Sequence, residues 1–253
     1  MKKNMESFRS ALKARSAVKA IAGIANLDLD NILAVARVAD AAGVHAVDVA
    51  AHAEIIQSVK AVTGAVVFAS AIEPRDLLMA AEAGADAVEL GNFDALYDQG
   101  LFLSADDVLK RTEETLALLP VDNRPLVSIT IPGHLTLESQ IQLAVALEAL
   151  GVDLLQTEGA ARILSQEPSV KTLNAAEKAE ITLNNTRALA KVVRIPVMSA
   201  SGITADNAAL AFEAGASAIG VGSYINQASD ELDMFRRLEA VMASRSRVFS
   251  QAV

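Results

Sequence analysis

The 253-residue sequence contains no cysteine and no tryptophan, and only 4% of its residues are aromatic. Without cysteine the chain has no disulfide framework, no thiolate nucleophile and no cysteine-ligated metal site. No apolar run reaches the roughly 18 residues of a membrane span, so we expect no membrane partner. The net charge of −9 is opposite to the basic surface that nucleic-acid binding needs, so we expect no nucleic-acid partner.

Short apolar runs bounded by glycine, proline or asparagine alternate with longer amphipathic segments along the chain. This alternation predicts βαβ units and a parallel sheet. Eight such units in about 250 residues predict an α/β protein with the (β/α)₈ TIM-barrel fold, and a doubly wound open sheet is the alternative. We predict one domain over residues 1–253, with residues 1–16 as an N-terminal capping helix. The predicted strands are Ala17–Gly23, Ala46–Ala51, Val66–Ala71, Ala87–Gly91, Leu126–Ile131, Leu154–Glu158, Val197–Ser201 and Ala218–Gly222.

An internal repeat supports the barrel and indicates which side chains point inward. Four similar segments start at Ala42, Ala83, Leu150 and Ala214, and each passes from a glycine into an even-numbered strand. Side chains alternate between the faces of a strand, and alternate strands of a barrel share interior layers, so two sets of aligned positions are predicted to face inward. These sets are Asp48, Glu89, Gln156 and Gly220, and then Ala50, Gly91, Glu158 and Gly222.

The odd-numbered strands are predicted to add more polar groups to this interior. A barrel that served only as a scaffold would prefer valine, isoleucine and leucine there. The polar interior therefore predicts a function inside the barrel. The two odd-strand layers are Lys19, Phe68, Ser128 and Ser199, and then Ile21, Ser70, Thr130 and Ser201.

Lys19, Asp48, Glu89 and Glu158 are the candidate catalytic residues. A charged lysine inside a barrel must be paired or must shift its pKa, so Lys19 is either a catalytic amine or one half of a structural ion pair with Asp48 or Glu89. Glu158 ends its strand and is predicted to face the mouth of the barrel. With Asp48 or Glu89 it can form an acid/base pair, or it belongs to a network that holds loops.

Three polar residues near the carboxyl ends of strands are candidate substrate-binding residues: Asn92, Thr130 and His134. His52 and His134 also follow strands two and five, where with the two carboxylates Asp48 and Glu158 they are conceivable metal ligands. This histidine pattern is weak, so we predict no metal ligands and no cofactor, and leave a divalent metal and FMN as open alternatives.

Two long segments follow strands four and six, at Phe93–Leu103 and Ala160–Leu173. Long loops in compact domains often close over a ligand, although a solvated surface loop is the alternative. Arg162 and Lys171 in the second segment are candidate partners for an anionic ligand.

Two clusters of small residues follow the last two predicted strands, with Ser201 and Gly202 after strand seven and Gly222 and Ser223 after strand eight. In many (β/α)₈ enzymes a phosphate group binds at this place, on backbone N–H groups at the start of a short extra helix. These four residues are therefore predicted to bind a phosphate, with tight packing as the alternative.

The stretch PVMSASGITADNAALAFEAGASAIGVGSYI resembles the last two strands of phosphate-binding barrels such as pyridoxal-phosphate synthase, thiazole synthase and the histidine and tryptophan pathway barrels. The resemblance covers roughly a quarter of the chain and implies a ribulose-phosphate-binding-barrel-like fold with a phosphate site. It does not imply a particular reaction.

A second resemblance extends over nearly the whole chain. The motifs VDVAA, AIEPRDLLMAAEAGADAVELGNFDALYDQG, VSITIPGHL and LLQTEG resemble the hypothetical chloroplast reading frame family numbered twenty-three, which occurs in algal plastids and cyanobacteria. The resemblance implies a phosphate-binding barrel in the plastid stroma or the cyanobacterial cytoplasm, and it supplies no catalytic residues.

Three functions fit these observations. The first is an enzyme acting on a small phosphorylated metabolite, as an isomerase, epimerase, aldolase-type lyase or synthase. The second is a non-catalytic metabolite sensor or regulatory protein that keeps the phosphate site. The third is an FMN-binding enzyme. A homo-oligomer is compatible with each of them.

Overall fold

The computed structural model describes residues 2–160, 162–163, 169–170 and 173–245. In this part of the chain, eight parallel strands close into a barrel in sequence order, with the last strand pairing with the first. This confirms the predicted (β/α)₈ TIM barrel. The strands are β1 (Ala17–Gly23), β2 (Ala46–Ala50), β3 (Val66–Ala71), β4 (Ala87–Leu90), β5 (Leu126–Ile131), β6 (Leu154–Thr157), β7 (Val197–Ala200) and β8 (Ala218–Val221).

The helices pack their apolar faces against the outside of the barrel. Two 3₁₀ turns, Phe93–Ala95 and Tyr97–Gln99, follow β4, and two short antiparallel strands, Arg162–Ile163 and Ser169–Val170, follow β6. Within the described ranges, no helix combines the length and the apolar character that crossing a membrane requires. The helices are α1 (Lys2–Lys13), α2 (Leu29–Ala41), α3 (Ala53–Val62), α4 (Pro74–Glu82), α5 (Ala105–Leu118), α6 (Leu137–Leu150), α7 (Ala175–Leu189), α8 (Ala208–Glu213), α9 (Ser223–Asn226) and α10 (Glu231–Ser244).

Helix α1 closes the amino-terminal end of the barrel, as predicted, although it ends at Lys13 rather than at residue 16. Its Phe8 ring is fully buried and meets the edge of the Phe68 ring at a centroid distance of 5.5 Å. The first inward residue of each strand joins the same apolar cluster, so the lower part of the barrel is filled. The cluster contains Phe8, Ala11, Leu12, Ala17, Ala46, Val66, Phe68, Ala87, Leu126, Leu154, Met198 and Ala218.

The repeat correctly predicted that Asp48, Glu89 and Gln156 point into the barrel. Asp48 accepts a hydrogen bond from Ser70, Glu89 accepts from Ser128 and Gln156, and Gln156 also donates to Asn92. The inward placement of Ser199 is wrong. Its hydroxyl accepts a hydrogen bond from Thr186 Oγ1 of α7 at 3.0 Å, on the outside of the barrel. Both faces of β7 carry small or flexible residues, so the sequence pattern did not distinguish them.

Helix α7 is bound to the barrel by polar contacts as well as by apolar packing. The Thr182 hydroxyl donates to the carbonyl oxygens of Ala200 and Ser201, both at 3.0 Å. The Asn185 amide donates to the Glu158 carbonyl oxygen at 3.3 Å. These bonds fix the carboxyl ends of β6 and β7, where candidate functional residues lie.

Candidate functional site

A cavity of about 250 Å³ opens at the carboxyl ends of the strands. Pockets for drug-sized ligands measure about 300–1,000 Å³, so this cavity suits a small metabolite. Six of the residues predicted to form the site line it: Asn92, Glu158, Ser201, Gly202, Gly222 and Ser223. The other five lie beneath or beside it: Lys19, Asp48, Glu89, Thr130 and His134.

One side of the cavity is formed by the two clusters of small residues. Ser201 and Gly202 both have positive φ, at 80° and 74°, so the chain turns sharply after β7. A Cβ on Gly202 would overlap backbone atoms of Ala175 and Ala179, because the first turns of α7 pack directly against this glycine. Ser223 begins the short helix α9 directly after Gly222, as the sequence predicted. Both glycines line the cavity, and packing against α7 is by itself a sufficient reason for the glycine at position 202.

Lys178, in the second turn of α7, is a basic residue that also lines this cavity. Sequence reasoning missed it and named Arg162 and Lys171 instead. Lys171 lies outside the described residues, and of Arg162 only the backbone is described. The signal that could have found Lys178 is its place in the first half of the helix that follows β6.

Glu158 also lines the cavity and is 2% exposed. Its carboxylate accepts hydrogen bonds from the Asp94 backbone N–H at 2.8 Å, the Tyr97 hydroxyl at 2.7 Å and the Gly133 backbone N–H at 3.1 Å. Burial, and secondly the negative charge of Asp94, raise the pKa of Glu158 to about 8. The three hydrogen bonds oppose this shift, because they stabilise the charged carboxylate.

Asp94 and Tyr97 come from the 3₁₀ turns that follow β4, and sequence reasoning named neither of them. Asp94 lines the cavity, and its Oδ2 lies 3.4 Å from Ser201 Oγ. Burial and the neighbouring Glu158 raise the pKa of Tyr97, so its hydroxyl stays protonated. His134 lies behind this hydroxyl, with Nδ1 at 3.1 Å, and does not reach the cavity. The long segment after β4 was the available signal for these residues.

Asn92 forms the floor of the cavity and covers Asp48. Its backbone is left-handed, with φ 63° and ψ 44°, a conformation that asparagine tolerates better than most residues. Its Nδ2 donates to Asp48 Oδ2 at 3.0 Å and to Ser70 Oγ at 2.9 Å, and its Oδ1 accepts from Gln156 Nε2 at 2.9 Å. Burial raises the pKa of Asp48 to about 7, because it outweighs the charge of Lys19 and these hydrogen bonds.

Lys19 lies deeper, below the cavity, and is fully buried. Its Nζ is 2.8 Å from Glu89 Oε2 and 4.7 Å from the centre of the Phe68 ring. Glu89 also accepts from Ser128 Oγ at 2.7 Å and from Gln156 Nε2 at 3.0 Å. The ion pair and these hydrogen bonds join the lower interior to the floor of the cavity.

Within the described ranges, no group of three or more histidine, aspartate or glutamate side chains is placed to hold a metal ion. His52 lies at the start of α3, against Leu29 and Glu54, and is not part of the cavity.

The strand ends, the polar interior and the closed lower end together define a (β/α)₈ barrel protein with one site at the carboxyl ends of its strands. The chain belongs to the family described as "Protein of unknown function (DUF561)", whose model matches residues 2–250. A curated relative named "Uncharacterized protein ycf23" from Antithamnion sp. is 34% identical over 247 residues, covering 95% of this chain and 88% of the relative. Another of that name, from Cyanophora paradoxa, is 35% identical over 231 residues, covering 91% and 93%.

Solved structures show the same fold at low sequence identity. One is (S)-3-O-geranylgeranylglyceryl phosphate synthase from Thermoplasma acidophilum in complex with its substrate sn-glycerol-1-phosphate, with a TM-score of 0.64, 18% identity and coverage of 97% of this chain and 98% of that one. Another is 3-hexulose-6-phosphate synthase, with a TM-score of 0.60, 16% identity and coverage of 90% and 99%.

Proposed function

We propose that this protein is an enzyme that binds a small phosphorylated metabolite and catalyses its reaction by proton transfer to and from that metabolite, as an isomerase, epimerase or aldolase-type lyase. One observation carries the proposal. The same cavity is lined by Gly202, Gly222 and Lys178, where an anion can bind, and by Glu158 and Asp94, which carry carboxyl groups. The solved neighbours whose titles name a phosphorylated compound support the phosphate part of the proposal.

Glu158 is the proposed general acid, because its raised pKa keeps a proton available near neutral pH. Asp94 is the proposed base, since its carboxylate lines the same cavity. An imine at Lys19 is not part of the proposal, because its amine is paired with Glu89 below the cavity floor. We assign Lys19, Asp48 and Glu89 the role of positioning residues that hold Asn92 and Gln156.

The phosphate site is tested by substitution at Gly222. A Cβ there would lie 3.5 Å from the nearest side-chain atom, an ordinary contact, and φ is −117°, so Gly222→Asp is expected to fold. Inorganic phosphate at about 100 times its Kd should stabilise the wild type by about 2.7 kcal/mol. Gly222→Asp should lose this stabilisation because its carboxylate repels the anion, whereas the matched neutral variant Gly222→Asn should keep part of it. Thermal unfolding with and without phosphate measures both, and an unchanged response in Gly222→Asp would contradict the site.

The proton transfer is tested without knowledge of the substrate. The protein is incubated in D₂O with a pool of small phosphate esters, and deuterium incorporation is followed by mass spectrometry. Exchange should fall about 100-fold or more in Glu158→Gln, the usual size of a general acid–base contribution, while phosphate stabilisation remains. Phosphate binding with no exchange in the wild type would indicate the sensor alternative instead. An absorbance spectrum of the purified protein tests the FMN alternative.

The proposal includes no nucleic-acid or membrane partner. A homo-oligomer, and a location in the plastid stroma or the cyanobacterial cytoplasm, stay predictions of the sequence analysis. Sedimentation and fractionation respectively test them.

A further inference from the structure

The two carboxyl oxygens of Glu158 have different surroundings. In the part of the chain that the structure describes, Oε2 accepts two hydrogen bonds, from the Tyr97 hydroxyl at 2.7 Å and the Gly133 backbone N–H at 3.1 Å. Oε1 accepts one, from the Asp94 backbone N–H at 2.8 Å. Asp94 lines the cavity, whereas Tyr97 and Gly133 do not. Oε1 is therefore the oxygen beside a residue of the cavity wall.

This difference decides which oxygen of Glu158 carries the acid proton. A carboxylate has about four lone-pair sites, two on each oxygen. Two donors fill both sites of Oε2, and Oε1 keeps one site, so the proton belongs on Oε1. A general acid must hold its proton within hydrogen-bond reach of the substrate, and Oε1 is on the side where a substrate binds.

The Tyr97 hydroxyl is held in turn by His134, whose Nδ1 lies 3.1 Å from it. The hydroxyl has a single proton, and Oε2 of Glu158 only accepts, so the bond to His134 requires that Nδ1 donates. Ring packing fixes this arrangement. The Tyr97 ring stacks on Phe102 at a centroid distance of 5.3 Å, and the His134 ring stands nearly perpendicular to both, at 5.3 Å and 5.5 Å.

We propose that Tyr97 and His134 are positioning residues for proton transfer at Glu158. His134 fixes the Tyr97 hydroxyl, this hydroxyl occupies Oε2, and the proton is exchanged with the substrate through Oε1. The inference rests on the proposed function, since it describes how the general acid is oriented. In the transfer the O–H bond at Oε1 breaks, the proton bonds to the substrate, and the electron pair stays on the carboxylate, which regains a proton from water before the next turnover.

The Tyr97 hydroxyl also affects the pKa of Glu158. Burial and the charge of Asp94 raise this pKa to about 8, and the bonds from Tyr97, Gly133 and Asp94 oppose the rise because they favour the ionised form. Tyr97→Phe should therefore raise the pKa by about one further unit, the effect of losing one hydrogen bond to a charged group. Asp94 and Lys178, the charged groups that line the cavity with Glu158, are unchanged in this variant.

Infrared titration of the ligand-free protein measures the pKa of Glu158 without a substrate. The carbonyl band of the protonated side chain is identified by its loss in Glu158→Gln. It should disappear around pH 8 in the wild type and about one pH unit higher in Tyr97→Phe. Phe102→Leu is the matched control, because it removes the ring stacked on Tyr97 and keeps the hydroxyl, so the titration should not move. An unmoved titration in folded Tyr97→Phe overturns the inference.

Deuterium exchange into small phosphate esters, measured across pH, connects the arrangement to the reaction. Exchange that needs protonated Glu158 falls as the pH rises through its pKa, so Tyr97→Phe should move the fall upward by about one unit. A purely structural role for Tyr97 would lower the rate without moving the fall. An unmoved fall overturns the inference and leaves the proposed function standing. If the wild type shows no exchange at any pH, both are overturned.

If Tyr97→Phe does not fold, the wild type still tests the arrangement. Nitrogen NMR of the three histidines should show His134 with a proton on Nδ1. A proton on Nε2 alone overturns the inference, because the Tyr97 hydroxyl would then donate to His134 and not to Glu158.

Discussion

Replacing Lys19 with methionine will lower the free energy of unfolding by about 3–5 kcal/mol, the usual effect of removing one partner of a buried ion pair. Lys19 and Glu89 are both fully buried, and 2.8 Å separates Nζ from Oε2. Without the ammonium group, Glu89 must either carry an unpaired charge inside the barrel or take up a proton at a cost in free energy. Urea unfolding at pH 7 measures the loss.

Two further variants show whether the loss comes from the unpaired charge. Lys19→Met/Glu89→Gln should recover part of it, because glutamine keeps an acceptor for Ser128 and carries no charge. Lys60→Met is the matched control at a less buried pair, in which Nζ is also 2.8 Å from the carboxylate of Asp86 and the side chains are 25% and 11% exposed. It should cost about 1 kcal/mol or less. Equal losses in Lys19→Met and Lys60→Met would show that burial of the pair is not the cause.

The protein will become less stable as the pH rises from 6.5 to 8, by about 2 kcal/mol. Glu158 and Asp48 have pKa values raised to about 8 and about 7 when folded, and both groups ionise near pH 4 when unfolded. Between these values the folded protein binds more protons than the unfolded chain, so stability falls with increasing pH. The full stabilising effect is present below pH 4 and is lost as the pH passes through 7 and 8. Urea unfolding across this range measures it.

His45 contributes little between pH 6.5 and 8. Burial, and secondly Arg245, lower the pKa of His45 to about 4, so this residue increases stability with pH between about 4 and 6.5. Between pH 6.5 and 8 it adds only about 0.4 kcal/mol, because the unfolded histidine is already half deprotonated at pH 6.5. Glu158→Gln should remove most of the fall between pH 6.5 and 8, and Asp48→Asn should remove the smaller part below pH 7. If both variants keep the wild-type slope, other groups cause it.

The barrel could be predicted from the sequence because its strands and helices alternate with clear periods and because the repeat is marked by glycines. The repeat also placed Asp48, Glu89, Gln156 and Glu158 on the inner face. The prediction failed for Ser199, since β7 carries small or flexible residues on both faces. Ser199 lies on the outer face, where it accepts a hydrogen bond from Thr186 of α7. Hydrophobic patterning identifies a face only where the two faces differ.

The candidate site could be predicted only in part. Its glycines and Glu158 follow strands directly, so their places depend on the fold alone. Asp94 and Lys178 enter the cavity from a 3₁₀ turn and a helix, whose orientation depends on packing that no local pattern encodes. The sequence also did not show which carboxylate pairs with Lys19, because Asp48 and Glu89 were equal candidates. The short distance between Lys19 Nζ and Glu89 Oε2 identifies Glu89 as the partner.

The apolar cluster under α1 closes the amino-terminal end of the barrel, so within the described residues the barrel interior opens only at the carboxyl ends of the strands. A ligand cannot pass through the axis, because Phe8, Phe68 and their neighbours fill the lower end. Substrate and product would therefore use the same entrance, and each would exclude the other while bound. For a reaction with two substrates, the one that binds deeper would have to enter first, so an ordered mechanism and competitive inhibition by product are expected kinetic properties.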